Sequence, residues 1–205
     1  AGVASRAAAA QKPYRVTLVG DSFDGAAWRT GLRIELDEGW KTYWRMPGDA
    51  GIPPLFGWKS NPGTSLIDVR YPVPGRFQDA SGETVGYTHE VVFPIIVTPG
   101  GATAVRLDLD LFFAVCKDVC IPARAKAGAA LNTSAANPLL IEWRKRLPRL
   151  AAAGEAPFIT ASRFETRENR PALVVNLTGQ AQDIFVESET SAYFGKPQFD
   201  STKGE

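Results

Sequence analysis

The sequence predicts an all-β fold, an antiparallel sandwich of immunoglobulin-like type, on three observations. Short strand-like segments recur along the first two thirds of the chain, Gly- and Pro-bearing turn signals separate them, and no helical period lies among them. The segments run 14–19, 32–36, 40–45, 66–71, 90–97, 105–115 and 123–131, and the turns include Asp37-Glu38-Gly39, Pro47-Gly48-Asp49, Asn61-Pro62-Gly63 and Pro99-Gly100-Gly101. The βαβ alternation of a thioredoxin fold is not visible.

Each element has a local reason. Arg106-Leu107-Asp108-Leu109-Asp110-Leu111 alternates charged and apolar residues, the pattern of a half-buried strand. Asn137 is placed to cap a helix with Pro138 at its first position, running through Leu147 and stopping near Pro148. Residues 151–157 read as a linker, after which strands are expected at 158–164, 172–177 and 183–187. So few strands rarely bury enough surface to stand alone. The expected organisation is a flexible segment over 1–12, a first β domain over 13–135, helix and linker over 136–156, and a second β domain over 157–205, immunoglobulin-like and short enough to be incomplete.

Composition excludes several function classes. The 205 residues are 44% hydrophobic and 22% charged, with no apolar run of the length a membrane helix needs. The formal net charge is +1 without long runs of one sign, so a nucleic-acid partner has no electrostatic footprint. The first residue is Ala and residues 1–10 are mostly small, which reads as the start of a processed or trimmed chain and is compatible with export, whose signal is not in view. No Gly-rich phosphate loop, Gly-x-Ser-x-Gly elbow or paired-histidine helix appears.

The chemistry-bearing feature is the only cysteine pair, Cys116 and Cys120. A bond between them closes so short a ring that the chain-entropy estimate gives about 2 kcal/mol at most. Had the strand run straight through both, they would stand about 13 Å apart, against the 4.4–6.8 Å or so between Cα atoms that a disulfide requires. The chain must therefore turn between them. A helical turn would serve, but Lys117-Asp118-Val119 as a hairpin loop suits a strand on one side and Ile121-Pro122 on the other. Two sulfurs at an exposed tip open and close without unfolding the protein, which favours a redox centre over a passive clip.

Other candidates surround this pair. In Trp40-Lys41-Thr42-Tyr43-Trp44-Arg45, Tyr43 and Trp44 point to opposite faces of a strand, so one of them is free to line the cysteine tip. Asp118 beside a thiol disfavours the thiolate while Lys117 favours it. The carboxylates of Asp79, Glu83 and Glu90 could assist proton transfer, although exposed loops carry such residues routinely. His89 is the only histidine and cannot build a multi-histidine metal site.

Taken together, Gly39-Trp40-Lys41-Thr42-Tyr43-Trp44-Arg45-Met46-Pro47-Gly48-Asp49-Ala50-Gly51-Ile52-Pro53-Pro54, then Gly86-Tyr87, then Cys116-x-x-x-Cys120-Ile121-Pro122 resemble the periplasmic amino-terminal region of DsbD-type thiol:disulfide reductases. The likeness is nearest to the branch called suppressor of copper sensitivity protein B (ScsB), and spans about residues 14–150. The resemblance implies an electron relay with no cofactor beyond a redox-active disulfide. A membrane-embedded cysteine pair of the same full-length protein would reduce this domain, which would then reduce a periplasmic thioredoxin-fold partner, a disulfide isomerase or an ScsC-like protein. It implies Cys120 as the cysteine that bonds the partner and Cys116 as the resolving one. It also implies an aromatic cap over the disulfide, for which the segment 77–87 offers Phe77 or Tyr87. Better-known members have five residues between their cysteines where this chain has three.

The rival expectation is copper handling, since a Cys-x-x-x-Cys segment followed by Pro also occurs in Sco-type copper-delivery proteins and thiolates suit Cu(I). Those proteins add a downstream histidine and a thioredoxin-like fold, whereas His89 lies upstream of the cysteines here.

Overall fold

The computed structural model describes residues 12–59, 63–79, 82–101, 105–132, 136–152, 154–190 and 192–200. The N-terminal stretch before Lys12 and the Asn61-Pro62 part of one turn signal lie outside them. The chain forms two compact units divided between Pro148 and Arg149.

In chain order the first unit carries β1 (Tyr14–Phe23), β2 (Trp28–Leu36), β3 (Lys41–Gly48), β4 (Leu55–Trp58), β5 (Thr64–Val69), β6 (Gly75–Asp79), β7 (Gly82–Thr88), β8 (Glu90–Pro99), β9 (Val105–Cys116), β10 (Cys120–Leu131) and α1 (Pro138–Arg144). One sheet has the order β1-β2-β8-β5, and the other β10-β9-β3-β7-β6 with β4 added on β9. All pairings are antiparallel. The fold is the immunoglobulin-like β-sandwich that the sequence predicts.

Period-two alternation builds the interior. Leu32 and Ile34 of β2 and Val91, Phe93, Ile95 and Val97 of β8 are buried, as are Leu107, Leu111, Phe113 and Val115 of β9. Phe93 joins the two sheets. Its ring meets Phe56 of β4, Tyr71 and Tyr87 of β7 edge-on, at centroid distances of 5.7, 5.2 and 5.6 Å, the offset geometry that aromatic quadrupoles favour.

Helix α1 explains why β8 reads as a continuous apolar run rather than an alternating one. Its Leu140 and Trp143 are buried, Trp143 Nε1 donates to Glu90 Oε1 at 3.3 Å, and Val92 of β8 is fully buried. A strand covered on both faces has no polar side to show. Asn137 caps the helix, its side chain accepting from the backbone N–H groups of Leu139 and Leu140. The helix, read from the sequence as leading into a linker, thus belongs to the packing of the first unit.

Three strands escaped the sequence reading: β4, β6 and β7. The segment 77–87, read as a capping loop, is for the most part the β6–β7 hairpin.

The second unit contains β11 (Phe158–Arg167) paired antiparallel with β12 (Arg170–Thr178). Glu168 and Asn169 between them both have positive φ, as a two-residue hairpin loop of the type matched to strand twist requires. Residues 183–187, expected as a third strand, form none.

Candidate redox site

The hairpin of β9 and β10 pairs Cys116 directly with Cys120, leaving Lys117-Asp118-Val119 as its loop. The two sulfurs are bonded, with the Cα atoms 4.1 Å apart, close to the ~4.5 Å of a non-hydrogen-bonded antiparallel pair. The register sets the two cysteines directly opposite each other, within reach of a bond.

The two sulfurs differ in access. Cys116 is 1% exposed, whereas Cys120 and the loop before it are exposed. The burial pattern of β9 shows where this asymmetry begins. Residues 105–113 alternate, with 105, 107, 109, 111 and 113 buried, and then Ala114, Val115 and Cys116 are buried in succession. Ala114 and Cys116 occupy the parity that faces outward, so something covers the outer face of the sheet at its cysteine end.

Part of that cover is Tyr43. On β3, Lys41 pairs with Cys116 and Thr42 with Val115, which puts Lys41 and Tyr43 on the same face as Cys116. Tyr43 is 1% exposed, and its hydroxyl lies 2.6 Å from Cys116 Sγ and 3.4 Å from Cys120 Sγ. Neither sulfur of a disulfide carries a proton, so the hydroxyl is the donor. Tyr43, Ala114 and Cys116 pack as one cluster with Ile52 laid against it.

The remaining sequence candidates separate in space. Trp44, one residue on from Tyr43, points to the other face and is buried in the core. Tyr87 also lies in the core, its hydroxyl donating to the Pro72 carbonyl at 2.8 Å. Phe77 shares the outward face and its ring lies under the Lys41 ammonium, with Nζ 5.9 Å from the centroid. Asp118 stands exposed at the loop tip, while Lys117 reaches back and donates from Nζ to the Glu38 carbonyl at 3.2 Å. Glu83 holds Arg76 at 2.6 Å, and Glu90 holds Arg33 and Trp143, so both have structural work.

Two residues near the site were not singled out from the sequence. Lys41 is a buried lysine, 7% exposed, donating from Nζ to Thr84 Oγ1 at 2.8 Å. Its signal was available, since it is two residues before Tyr43 and shares that face. Ile52 lies in an irregular connector with no periodicity to mark it. Among the described residues no three His, Cys, Asp or Glu side chains cluster as metal ligands.

Residues 10–131 match the family described as thiol:disulfide interchange protein DsbD, N-terminal. The chain belongs to this family. The match takes in both cysteines, Tyr43, Lys41 and Ile52, and ends at the last residue of β10. Among solved structures, the N-terminal periplasmic domain of ScsB from Proteus mirabilis aligns with a TM-score of 0.61 at 24% identity, over 85% of this chain and 65% of that one. The chain thus spans just under two thirds of that domain. The reduced DsbD N-terminal domain of Neisseria meningitidis aligns with a TM-score of 0.34 at 12% identity, over 58% of this chain and 91% of that one. No curated protein matches the chain significantly. A DsbD-type N-terminal domain with a bonded cysteine pair is a module of thiol:disulfide exchange. No helix among the described residues is long and apolar enough to cross a membrane.

Proposed function

We propose that the first unit is a periplasmic electron relay that takes two electrons from a membrane-embedded cysteine pair and delivers them to a thioredoxin-fold partner, with Cys120 at the point of contact. The observation that carries this reading is the difference in access between the two bonded sulfurs, 1% exposure at Cys116 against an open position at Cys120. Exchange requires in-line approach of a thiolate to a sulfur, and only one sulfur of this disulfide is open to it.

In the delivering step the Cys120 thiolate attacks one sulfur of the partner's disulfide. That bond breaks, a mixed disulfide forms, and one partner sulfur leaves as a thiolate and takes a proton. Cys116, as thiolate, then attacks Cys120 Sγ, restoring the intramolecular bond and releasing the second partner sulfur. Two electrons have passed to the partner. Recharging runs the same chemistry backwards, with a donor thiolate attacking Cys120 Sγ and Cys116 leaving.

In both directions Cys116 carries negative charge away from water, as the attacking thiolate in delivery and as the leaving one in recharging, and the Tyr43 hydroxyl is already within 2.6 Å of it. Hydrogen bonds to charged groups contribute about 1.5–3 kcal/mol, and each ~1.4 kcal/mol is a factor of ten in rate. Tyr43→Phe is therefore expected to slow reduction of the disulfide by dithiothreitol about tenfold or more, followed by stopped-flow fluorescence, with the denaturation midpoint little changed. An unchanged rate would remove Tyr43 from the mechanism.

Trapping tests the relay itself. Cys116→Ala leaves Cys120 able to attack but removes the resolving thiol, so mixed disulfides with periplasmic thioredoxin-fold proteins should accumulate and run as heavier bands on non-reducing gels. Cys120→Ala should accumulate none. If Cys116→Ala captures no partner, the relay reading fails.

A further inference from the structure

The outward parity of Ala114 and Cys116 makes their burial an anomaly for a sheet face, and Tyr43 accounts for only part of the cover. A further part comes from the connector 49–54 between β3 and β4. Ile52 packs against the Tyr43, Ala114 and Cys116 cluster. The preceding residue has to be glycine for this to happen, because a Cβ at Gly51 would stand 2.8 Å from Tyr43 Cδ1 and 2.4 Å from Pro47 Cβ. The backbone therefore passes close against the edge of the tyrosine ring and sets Ile52 against the cluster that contains the buried cysteine. The aromatic candidate of the β6–β7 hairpin, Phe77, meets the Lys41 ammonium instead.

We infer that Ile52 decides which sulfur reacts: seated by Gly51 against Tyr43, it closes Cys116 to any incoming reagent and leaves Cys120 as the one point of entry. This rests on the relay reading for its biological sense, because a relay that opened at either sulfur could bond a partner at the resolving position, where Cys120 would have to act as the resolving thiol in its place. Ile52 is a positioning residue by this account. It touches neither partner nor donor and acts by excluding approach to one sulfur.

The test needs no partner, so it succeeds or fails independently of the trapping result. The fully reduced chain is treated with limiting iodoacetamide, in which a thiolate sulfur bonds the probe's methylene carbon and iodide leaves. Trypsin cuts after Lys117, which separates Cys116 and Cys120 into different peptides and lets mass spectrometry read the label at each. The wild type should carry at least about ten times more label at Cys120 than at Cys116, because thiol reactivity follows accessibility as well as charge. Ile52→Ala should lower that ratio about fivefold or more, and Ile52→Val, which removes one methylene, should fall between them. Urea denaturation of each variant separates opening of the connector from loss of the fold. Leu55→Ala, at an exposed position just beyond the connector, should leave the ratio alone. An Ile52→Ala variant that folds and keeps the wild-type ratio overturns the inference. If the Ala variant does not fold, a Val variant at the wild-type ratio overturns it equally.

Discussion

Gly86→Ala is expected to destabilise the first unit by about 3 kcal/mol, the upper end of what overpacking costs, and to detach Tyr43 from the sulfurs. Gly86 sits in β7 opposite Tyr43 of β3. A Cβ there would lie 2.0 Å from the Thr42 carbonyl oxygen and 2.9 Å from Tyr43 Cα. Both neighbours are backbone, so no side-chain rotation relieves the contact and β3 itself has to move. The strand that moves is the one that pairs Lys41 and Thr42 with the cysteine end of β9. The variant should show a lowered urea midpoint by tryptophan fluorescence and, in whatever fraction remains folded, the slower dithiothreitol reduction expected of Tyr43→Phe. A midpoint within experimental error of wild type would show that the two strands are not as closely apposed as described.

Phe93→Ala should cost about 3–5 kcal/mol, the range for a buried phenylalanine, because its ring is fully buried and contacts aromatics of the facing sheet, Phe56 of β4 and Tyr87 of β7. The neighbouring Tyr71 supplies a second readout. Burial pushes its phenol up to about 12 from an ordinary value of 10, with Arg45 opposing the shift. The folded state thus favours the neutral phenol. Its contribution to stability is complete below pH 10 and is lost as pH rises through about 12. Opening a cavity beside the ring should let water in and bring the phenol's titration back toward 10, which ultraviolet difference spectra would follow. A variant that loses stability without moving that titration would place the cavity away from Tyr71.

The fold was legible where burial on one face imposed alternation. Leu107, Leu109 and Leu111 of β9 carry it openly, and so does the hairpin turn that brings Cys116 opposite Cys120. Strands whose apolar residues are too few to set a period were not legible. In β7 the alternation is carried by Val85 and Tyr87 alone, between Gly82, Gly86 and Thr88, and Gly86 reads as a loop signal although its missing Cβ is what lets β3 and β7 pair. β4 follows Pro53-Pro54 and is only four residues long, too short to establish a period. At the site, alternation said that only one of Tyr43 and Trp44 could face the cysteines, and the structure brings Tyr43 there. Ile52 could not be anticipated, because the connector that carries it is placed by close approach to Tyr43 and not by any repeat in its own residues.

The disulfide closes a ring that ends where β9 and β10 are already zipped together along their whole length. Opening it frees only the turn, while the β9–β10 ladder and the Lys117 bond to the Glu38 carbonyl stay in place. The scaffold is thus held in the same way whether the two cysteines are bonded or reduced. In the proposed relay, a donor and an acceptor that meet this domain in opposite redox states would face nearly the same surface, and would have to tell loaded from empty by the chemistry of one exposed sulfur atom.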